Sequence, residues 1–68
     1  MNYTKLMQEL KNRNTNIRQL ALAAGIVPQS LYAAVQGRVY FWPGWKNRVA
    51  KALDMDVQEL FPEEENND

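Results

Sequence analysis

Apolar residues recur at helical spacing along this chain, in five short segments separated by polar, glycine or proline residues. The first segment predicts a helix over about residues 3–13, with Asn2 as its N-cap. No stretch alternates apolar and polar residues convincingly with period two, so the pattern predicts an all-α protein. The apolar side chains of the first helix fall on one face: Tyr3, Leu6, Met7 and Leu10.

The next two segments predict helices over residues 17–24 and 28–36. Each is followed by a glycine, Gly25 or Gly37, and glycine readily takes the left-handed backbone conformation that ends a helix. Pro28 suits a first helical turn, because the amide hydrogen that proline lacks has no acceptor within the helix there. Only a three-residue turn therefore separates the two helices.

The last two helices are expected over about residues 44–53 and over residues 57–61. Pro43 or Gly44 marks the start of the former, since proline is poorly tolerated deep within a helix. Pro62 stops the latter.

Two pairs of residues predict capping boxes, in which two side chains bond each other's backbone amides at a helix start. Asn16 with Gln19 opens the second helix, and Asp56 with Glu59 opens the fifth. Helix ends of this quality matter in so short a chain, whose small core has little stability to spare.

The formal net charge of zero hides a separation along the chain. Residues 1–53 hold all eight basic residues and one acid, a net charge of +7, whereas residues 54–68 hold seven acids and no base, a net charge of −7. We therefore expect a domain over residues 1–61 and an acidic, disordered tail over residues 62–68. A basic body suits nucleic acid; the alternative is that scattered surface charges only keep the domain soluble.

The residue types exclude several classes of function. With no cysteine and no histidine, the chain offers neither disulfides nor a zinc site. Its carboxylates are confined to Glu9 and the C-terminal region, so no acid–base or nucleophile–base pair suggests itself and we expect no enzyme. We also expect no cofactor and no small-molecule ligand. A cytoplasmic location is expected because the polar N-terminal segment resembles neither a signal peptide nor a membrane span.

Residues 16–37, NIRQLALAAGIVPQSLYAAVQG, form the most informative unit of the chain. Gly25 supplies the positive φ of the turn, and Ala21 is small enough to let the two helices cross closely. Such a corner presents the N-terminal half of the second helix outward, where it can enter a major groove. The residues expected to face inward and anchor the corner are Leu20, Ala21, Ile26, Leu31 and Ala34.

At these residues the chain resembles the phage-repressor helix-turn-helix family, the lambda-repressor-like and Cro-like (XRE-type) DNA-binding domains. The resemblance covers residues 3–61 and implies a compact five-helix domain of phage or prophage type, which binds double-stranded operator DNA in a bacterial or phage-infected cell, usually as a homodimer. The matching residues are Leu20-Ala21, Gly25-Ile26, Leu31, Gly37, the segment RVAKALDMD and the segment VQELF.

The resemblance also implies which residues meet DNA. Gln29 is the best base-reading candidate, because its amide can bond adenine bidentately. The base-contact candidates are Pro28, Gln29, Ser30, Tyr32, Ala33 and Gln36. The phosphate-contact candidates are Asn16, Ile17 and Arg18 at the second helix, Arg38 after the third, and Gly44, Trp45 and Lys46 at the fourth.

Three positions depart from the family pattern. Ile17 stands where the family often has a phosphate-binding glutamine, and Val27, before Pro28, cannot cap a helix as serine or threonine does. The third helix has no arginine or lysine, so it cannot make the Arg–guanine contact. We therefore expect modest sequence reading, or a bias toward sites that contain A·T pairs.

The stretch GRVYFWPGW, residues 37–45, concentrates four of the seven aromatic residues. Trp45 lies in helical register with Val49 and Leu53, which predicts a core position for it. The other aromatic residues cannot all be buried by so small a domain, and exposed ones commonly mark a contact surface. Val39, Phe41 and Trp42 are accordingly candidates for a dimer interface; the alternative is that they pack back on the fourth helix and Val35.

One alternative to a DNA-reading regulator remains at this level, and the acidic tail has two interpretations of its own. The fold could serve as a protein–protein module, antirepressor- or antitoxin-like, that uses the aromatic loop or the acidic tail. The tail is expected to be a solvated end, or else to compete with DNA for the basic face.

Overall fold

The computed structural model describes residues 3–62, which form five α-helices and no β-strand. This confirms the predicted all-α fold. The predicted Asn2 cap is wrong, because Tyr3 is the N-cap residue of α1 and its carbonyl accepts from the Met7 amide. The predicted acidic tail beyond Pro62 lies outside the described residues. No helix in residues 3–62 is long and apolar enough to cross a membrane. The helices are α1 (Thr4–Asn12), α2 (Ile17–Ala24), α3 (Pro28–Val35), α4 (Pro43–Ala52) and α5 (Val57–Leu60).

The first four helices all end in the same way, with one residue in the left-handed conformation and a backbone bond that reaches back five residues. Gly25 (φ 74°) and Gly37 (φ 83°) end α2 and α3 as predicted. Asn14 and Asp54, both with φ 58°, do the same for α1 and α4, because their short polar side chains tolerate this conformation. The four bonds are each 2.9 Å long, from the amides of Thr15, Ile26, Arg38 and Met55 to the carbonyls of Leu10, Ala21, Ala33 and Ala50.

The helix starts agree with the prediction in most details. Asn16 Oδ1 accepts a hydrogen bond from the Gln19 amide at 2.9 Å. The Gln19 side chain accepts from the Thr15 hydroxyl at 2.9 Å, so only the Asn16 half of this capping box is confirmed. At α5 the Asp56 amide donates to Glu59 Oε1 at 3.3 Å, which confirms that capping box.

The prolines occupy the expected helix starts. Pro28 and Pro43 stand in the first turns of α3 and α4. The residues before them, Val27 and Trp42, are extended and make no side-chain cap bond. The first-turn amides of both helices therefore have no side-chain cap.

A single apolar core draws on all five helices. Burial of these side chains supplies most of the favourable free energy of folding. The five residues predicted to anchor the helix-turn-helix corner, Leu20, Ala21, Ile26, Leu31 and Ala34, are all buried. One buried cluster joins the two ends of the described chain, because Tyr3 and Phe61 both pack on Phe41.

Phe41 is a core residue, and its prediction as a dimer contact is wrong. Its side chain is 3% exposed and meets the rings of Tyr3 and Phe61 edge-on, with centroids 5.2 Å and 5.4 Å away. The cause lies far away in sequence, since these two rings form the site that Phe41 fills. Trp45 packs against the core and is partly buried. Val39, Tyr40 and Trp42 are exposed.

Arg48 of α4 holds the turn between α2 and α3. Its Nη1 donates to the carbonyl of Gly25 at 3.2 Å, at the C-terminal end of α2. A cation at this end of a helix also interacts favourably with the helix dipole. This basic residue therefore supports the position of α3.

Candidate nucleic-acid interface

The outer face of α3 carries a stripe of polar and small side chains. Leu31 and Ala34 face the core, and this fixes which side of the helix points to solvent. Gln29, Tyr32 and Gln36 are exposed, at spacings of three and four that place them along one face. Three further base-contact candidates are partly exposed at its edges: Pro28, Ser30 and Ala33.

The start of α2 offers donors for an anion. The amides of a first helical turn have no acceptor within the helix, and the helix dipole adds positive potential there. Asn16 uses its Oδ1 as the cap, which leaves its Nδ2 to donate to a phosphate oxygen. Arg18 is exposed, whereas Ile17 is buried, so Ile17 can offer only its backbone amide.

One groove brings these two sets of residues together. It has a volume of about 690 Å³ and is lined by Asn16 and Arg18 of the α2 start and by Gln29 and Tyr32 of α3. Phosphate contacts position a protein on DNA and base contacts specify the sequence, so this juxtaposition is what DNA reading requires.

Lys11 and Thr15 line the same groove and were missed by the sequence reasoning. Lys11 of α1 adds a second cation to the lining of the groove, to which α2 contributes Arg18. The prediction treated these residues as the polar end of the first helix and the loop after it. Their place beside α3 follows from how α1 packs on the corner, and no local pattern reports that packing.

The phosphate candidates of α4 lie elsewhere. Gly44, Trp45 and Lys46 form its first turn and do not line this groove. The Lys46 ammonium lies 5.6–5.8 Å from the ring centroids of Tyr3, Phe41 and Phe61, at cation–π distance. The charge of Lys46 therefore interacts with the aromatic rings of the core.

Arg38 stands at the far end of α3 from the groove. It follows Gly37 in the connection to α4, and its side chain is exposed. Its amide donates to the carbonyl of Ala33 at 2.9 Å, which holds its backbone against the helix end. A phosphate contact from Arg38 would therefore lie at the C-terminal end of α3, whereas the groove with Asn16 and Arg18 includes its N-terminal end.

Glu9 pairs with two basic residues in or next to α1 that do not line the groove. Its carboxylate accepts from Arg13 Nε at 3.1 Å and lies 3.5 Å from Lys5 Nζ. The Arg13 hydrogen bond, helped by Lys5, lowers the pKa of Glu9 below its ordinary value. The lowered pKa stabilises the folded state at pH values above the pKa of Glu9 in the unfolded chain. This stabilisation is lost as the pH falls through the pKa of Glu9 in the folded protein, so it is fully present near neutral pH.

A family model described as winged helix-turn-helix DNA-binding matches residues 1–66. This covers nearly the whole chain, including the α2–turn–α3 corner and the groove beside it. Within residues 3–62 the chain has no β-strand, so a β-hairpin wing is absent from this range. Searches of curated proteins and of solved structures gave no match.

Proposed function

The chain belongs to the winged helix-turn-helix DNA-binding family, and on this premise we propose that it is a sequence-specific transcriptional regulator of the Cro/repressor type. In this proposal α3 enters the major groove of an operator, and its exposed stripe faces the base edges. Asn16, Arg18 and the first amides of α2 contact backbone phosphates near the start of α3. Arg38 contacts a backbone phosphate near the end of α3.

The observation that carries this proposal is the shared groove, where Gln29 and Tyr32 lie beside Asn16 and Arg18. Gln29 can bond adenine through both amide atoms, and Tyr32 can pack on a thymine methyl or bond a phosphate. Because α3 has no arginine or lysine, the strongest guanine contact is missing from it. We therefore expect operators whose read positions contain A·T pairs.

Selection from a random DNA library, followed by titration of the selected and scrambled duplexes, tests the proposal. We expect one short motif to bind roughly a thousandfold or more tightly than scrambled DNA. The logarithm of the binding constant should fall linearly with the logarithm of salt concentration. Equal affinity for selected and scrambled duplexes at physiological salt would overturn a sequence-specific regulator.

Arg38→Ala is expected to weaken binding to every duplex alike. A lost phosphate contact carries no sequence information, and the salt slope should fall by about one. Titrations of the selected and scrambled duplexes at several salt concentrations measure both quantities.

Lys51→Ala is the matched control, because it removes one positive charge from an exposed position in the last turn of α4. Lys51→Ala should leave the salt dependence of the binding constant nearly unchanged. A change of preferred base in Arg38→Ala would contradict the phosphate role.

We further propose that the protein binds its operator as a dimer through an exposed patch after α3, formed by Val39, Tyr40 and Trp42. Trp42 is 56% exposed, and its ring meets Tyr40 edge-on with centroids 4.7 Å apart. Exposed aromatic groups of this size commonly mark a contact surface, and a two-fold contact sets the same patch against itself. With Phe41 buried, Val39 and Trp42 are the predicted contact residues that remain.

Trp42→Ala is therefore expected to break the dimer and leave the fold intact. Analytical sedimentation on a duplex that carries two half-sites should show two copies for wild type and mainly one for the variant. Leu22→Ala is the control, because it removes an exposed apolar side chain elsewhere, on α2. This variant should sediment like wild type. A wild type that stays monomeric on DNA would end the dimer proposal.

The same patch supports a second candidate, a protein–protein module of antirepressor or antitoxin type. In that case Tyr40 and Trp42 would meet another protein. The DNA selection separates the two functions, because a module of this kind would yield no preferred duplex, and Trp42→Ala would leave DNA binding unchanged.

A further inference from the structure

An apolar depression between α1 and α3 includes the groove of the DNA-contact candidates and extends past it along α1. Two cavities of about 690 Å³ and 490 Å³ share Met7, Lys11, Ile17 and Tyr32 in their linings. One reaches the start of α3 at Pro28, and the other reaches its end at Gln36 and the start of α1. Because these four residues line both cavities, the two cavities adjoin, and we name them together the α1–α3 valley.

Its surface combines an apolar floor with positive charge. Met7, 46% exposed, and Tyr32, 55% exposed, stand in the middle, and buried Leu10 and Ile17 form the floor. Lys11 and Arg18 line the larger cavity, and neither cavity has an acidic residue in its lining. The valley is thus complementary to a group that is both apolar and negatively charged.

We propose that the α1–α3 valley binds an amphipathic organic anion, with an apolar body and one carboxylate. The body covers Met7 and Tyr32, and the carboxylate lies between Lys11 and Arg18. The larger cavity falls within the 300–1,000 Å³ range typical of small-ligand sites. DNA phosphates use the two cations but leave the apolar floor without a partner, whereas a ligand of this class uses both. This differs from the sequence-based expectation of no small-molecule ligand.

Such a ligand would exclude DNA. Asn16, Arg18, Gln29 and Tyr32 line the larger cavity and are also the proposed DNA contacts. Occupancy by the anion therefore lowers DNA affinity, as an inducer does. This consequence rests on the proposed DNA-reading function, whereas binding of the anion itself does not.

Decanoate, kept below its micelle concentration, is the probe for binding. We expect its titration into the ¹⁵N-labelled protein to shift the backbone amide resonances of Met7, Lys11, Ile17 and Tyr32 in a saturable way. Decyltrimethylammonium has the same chain with the opposite charge and should shift them far less. Equal binding of the two amphiphiles, or shifts that grow without saturation across the whole surface, would overturn the proposal.

Met7→Gln tests the apolar part of the site at a position exposed enough to spare the fold. It should weaken decanoate binding about fivefold, as expected for losing roughly half of one apolar side-chain contact. Leu22→Gln is the matched control, since Leu22 is 64% exposed on α2 and lines neither cavity. Unchanged binding in Met7→Gln, or equal losses in both variants, would contradict the valley as the site.

DNA competition is measured separately, with the selected duplex and increasing decanoate. Wild type should release DNA over the same decanoate range that saturates the amide shifts, and Met7→Gln should need about fivefold more. Failure of the DNA-reading function would leave the amide titration intact. Failure of the valley proposal would leave DNA binding intact and insensitive to decanoate.

Discussion

Phe41→Ala is expected to lower the free energy of unfolding by about 3–5 kcal/mol, the usual cost of removing a buried phenyl ring. Phe41 is 3% exposed and packs edge-on against the rings of Tyr3 and Phe61. Its removal leaves a cavity where the start of α1 meets the residue that follows α5. Tyr3 and Phe61 keep their edge-to-face contact with each other, with centroids 5.7 Å apart, but each loses the one to Phe41, which adds to the cost.

A loss of this size matters because a chain of 68 residues has only roughly 3–10 kcal/mol of folding stability in total. Urea denaturation followed by circular dichroism at 222 nm measures it. Where Phe41→Ala is already unfolded without urea, Phe41→Leu keeps part of the ring volume and should show a smaller, measurable loss.

Trp42→Ala is the matched control for stability, because it removes the neighbouring aromatic ring from an exposed position. Its cost should stay within about 1 kcal/mol, as for most surface substitutions. A Phe41→Ala protein as stable as Trp42→Ala would contradict the core assignment and restore Phe41 as a surface contact.

Gln29→Ala is expected to weaken binding to the selected operator by about 1–3 kcal/mol, which is roughly 5- to 150-fold in affinity. Gln29 is exposed in the first turn of α3 and lines the groove with Asn16 and Arg18. The loss should be confined to one base pair, since a bidentate amide contact reads a single adenine. Titration of duplexes substituted one position at a time identifies that pair.

Gln58→Ala makes the same chemical change on an exposed position of α5, outside the groove, and should bind like wild type. Scrambled DNA should bind Gln29→Ala nearly as well as wild type, because the phosphate contacts remain. Unchanged affinity for the selected operator would remove Gln29 from the site.

The helix-turn-helix corner could be predicted from local sequence because short-range bonds decide it. Gly25, Gly37, Pro28 and the Asn16 cap each act within one helical turn of their own position. The apolar register that buries Leu31 also turns Gln29 and Tyr32 outward, so the exposed stripe of α3 was predictable in the same way.

The ends of α1 and α4 show the limit of local signals. Asn14 and Asp54 take the left-handed conformation there, as glycine does after α2 and α3. The sequence pattern predicted both ends to within one residue, but asparagine and aspartate occur in many other settings, so the residue type alone did not predict the left-handed conformation.

By itself the sequence determined five helices, the corner between α2 and α3, the outward stripe and the separation of basic and acidic residues. Only the tertiary structure decided that Phe41 is buried while Trp42 is exposed, and that Lys11 and Arg18 line one groove. The physical reason is the range of the interactions involved. A helix end depends on neighbours within five residues, whereas the site of Phe41 is formed by Tyr3 and Phe61, which come from opposite ends of the described chain.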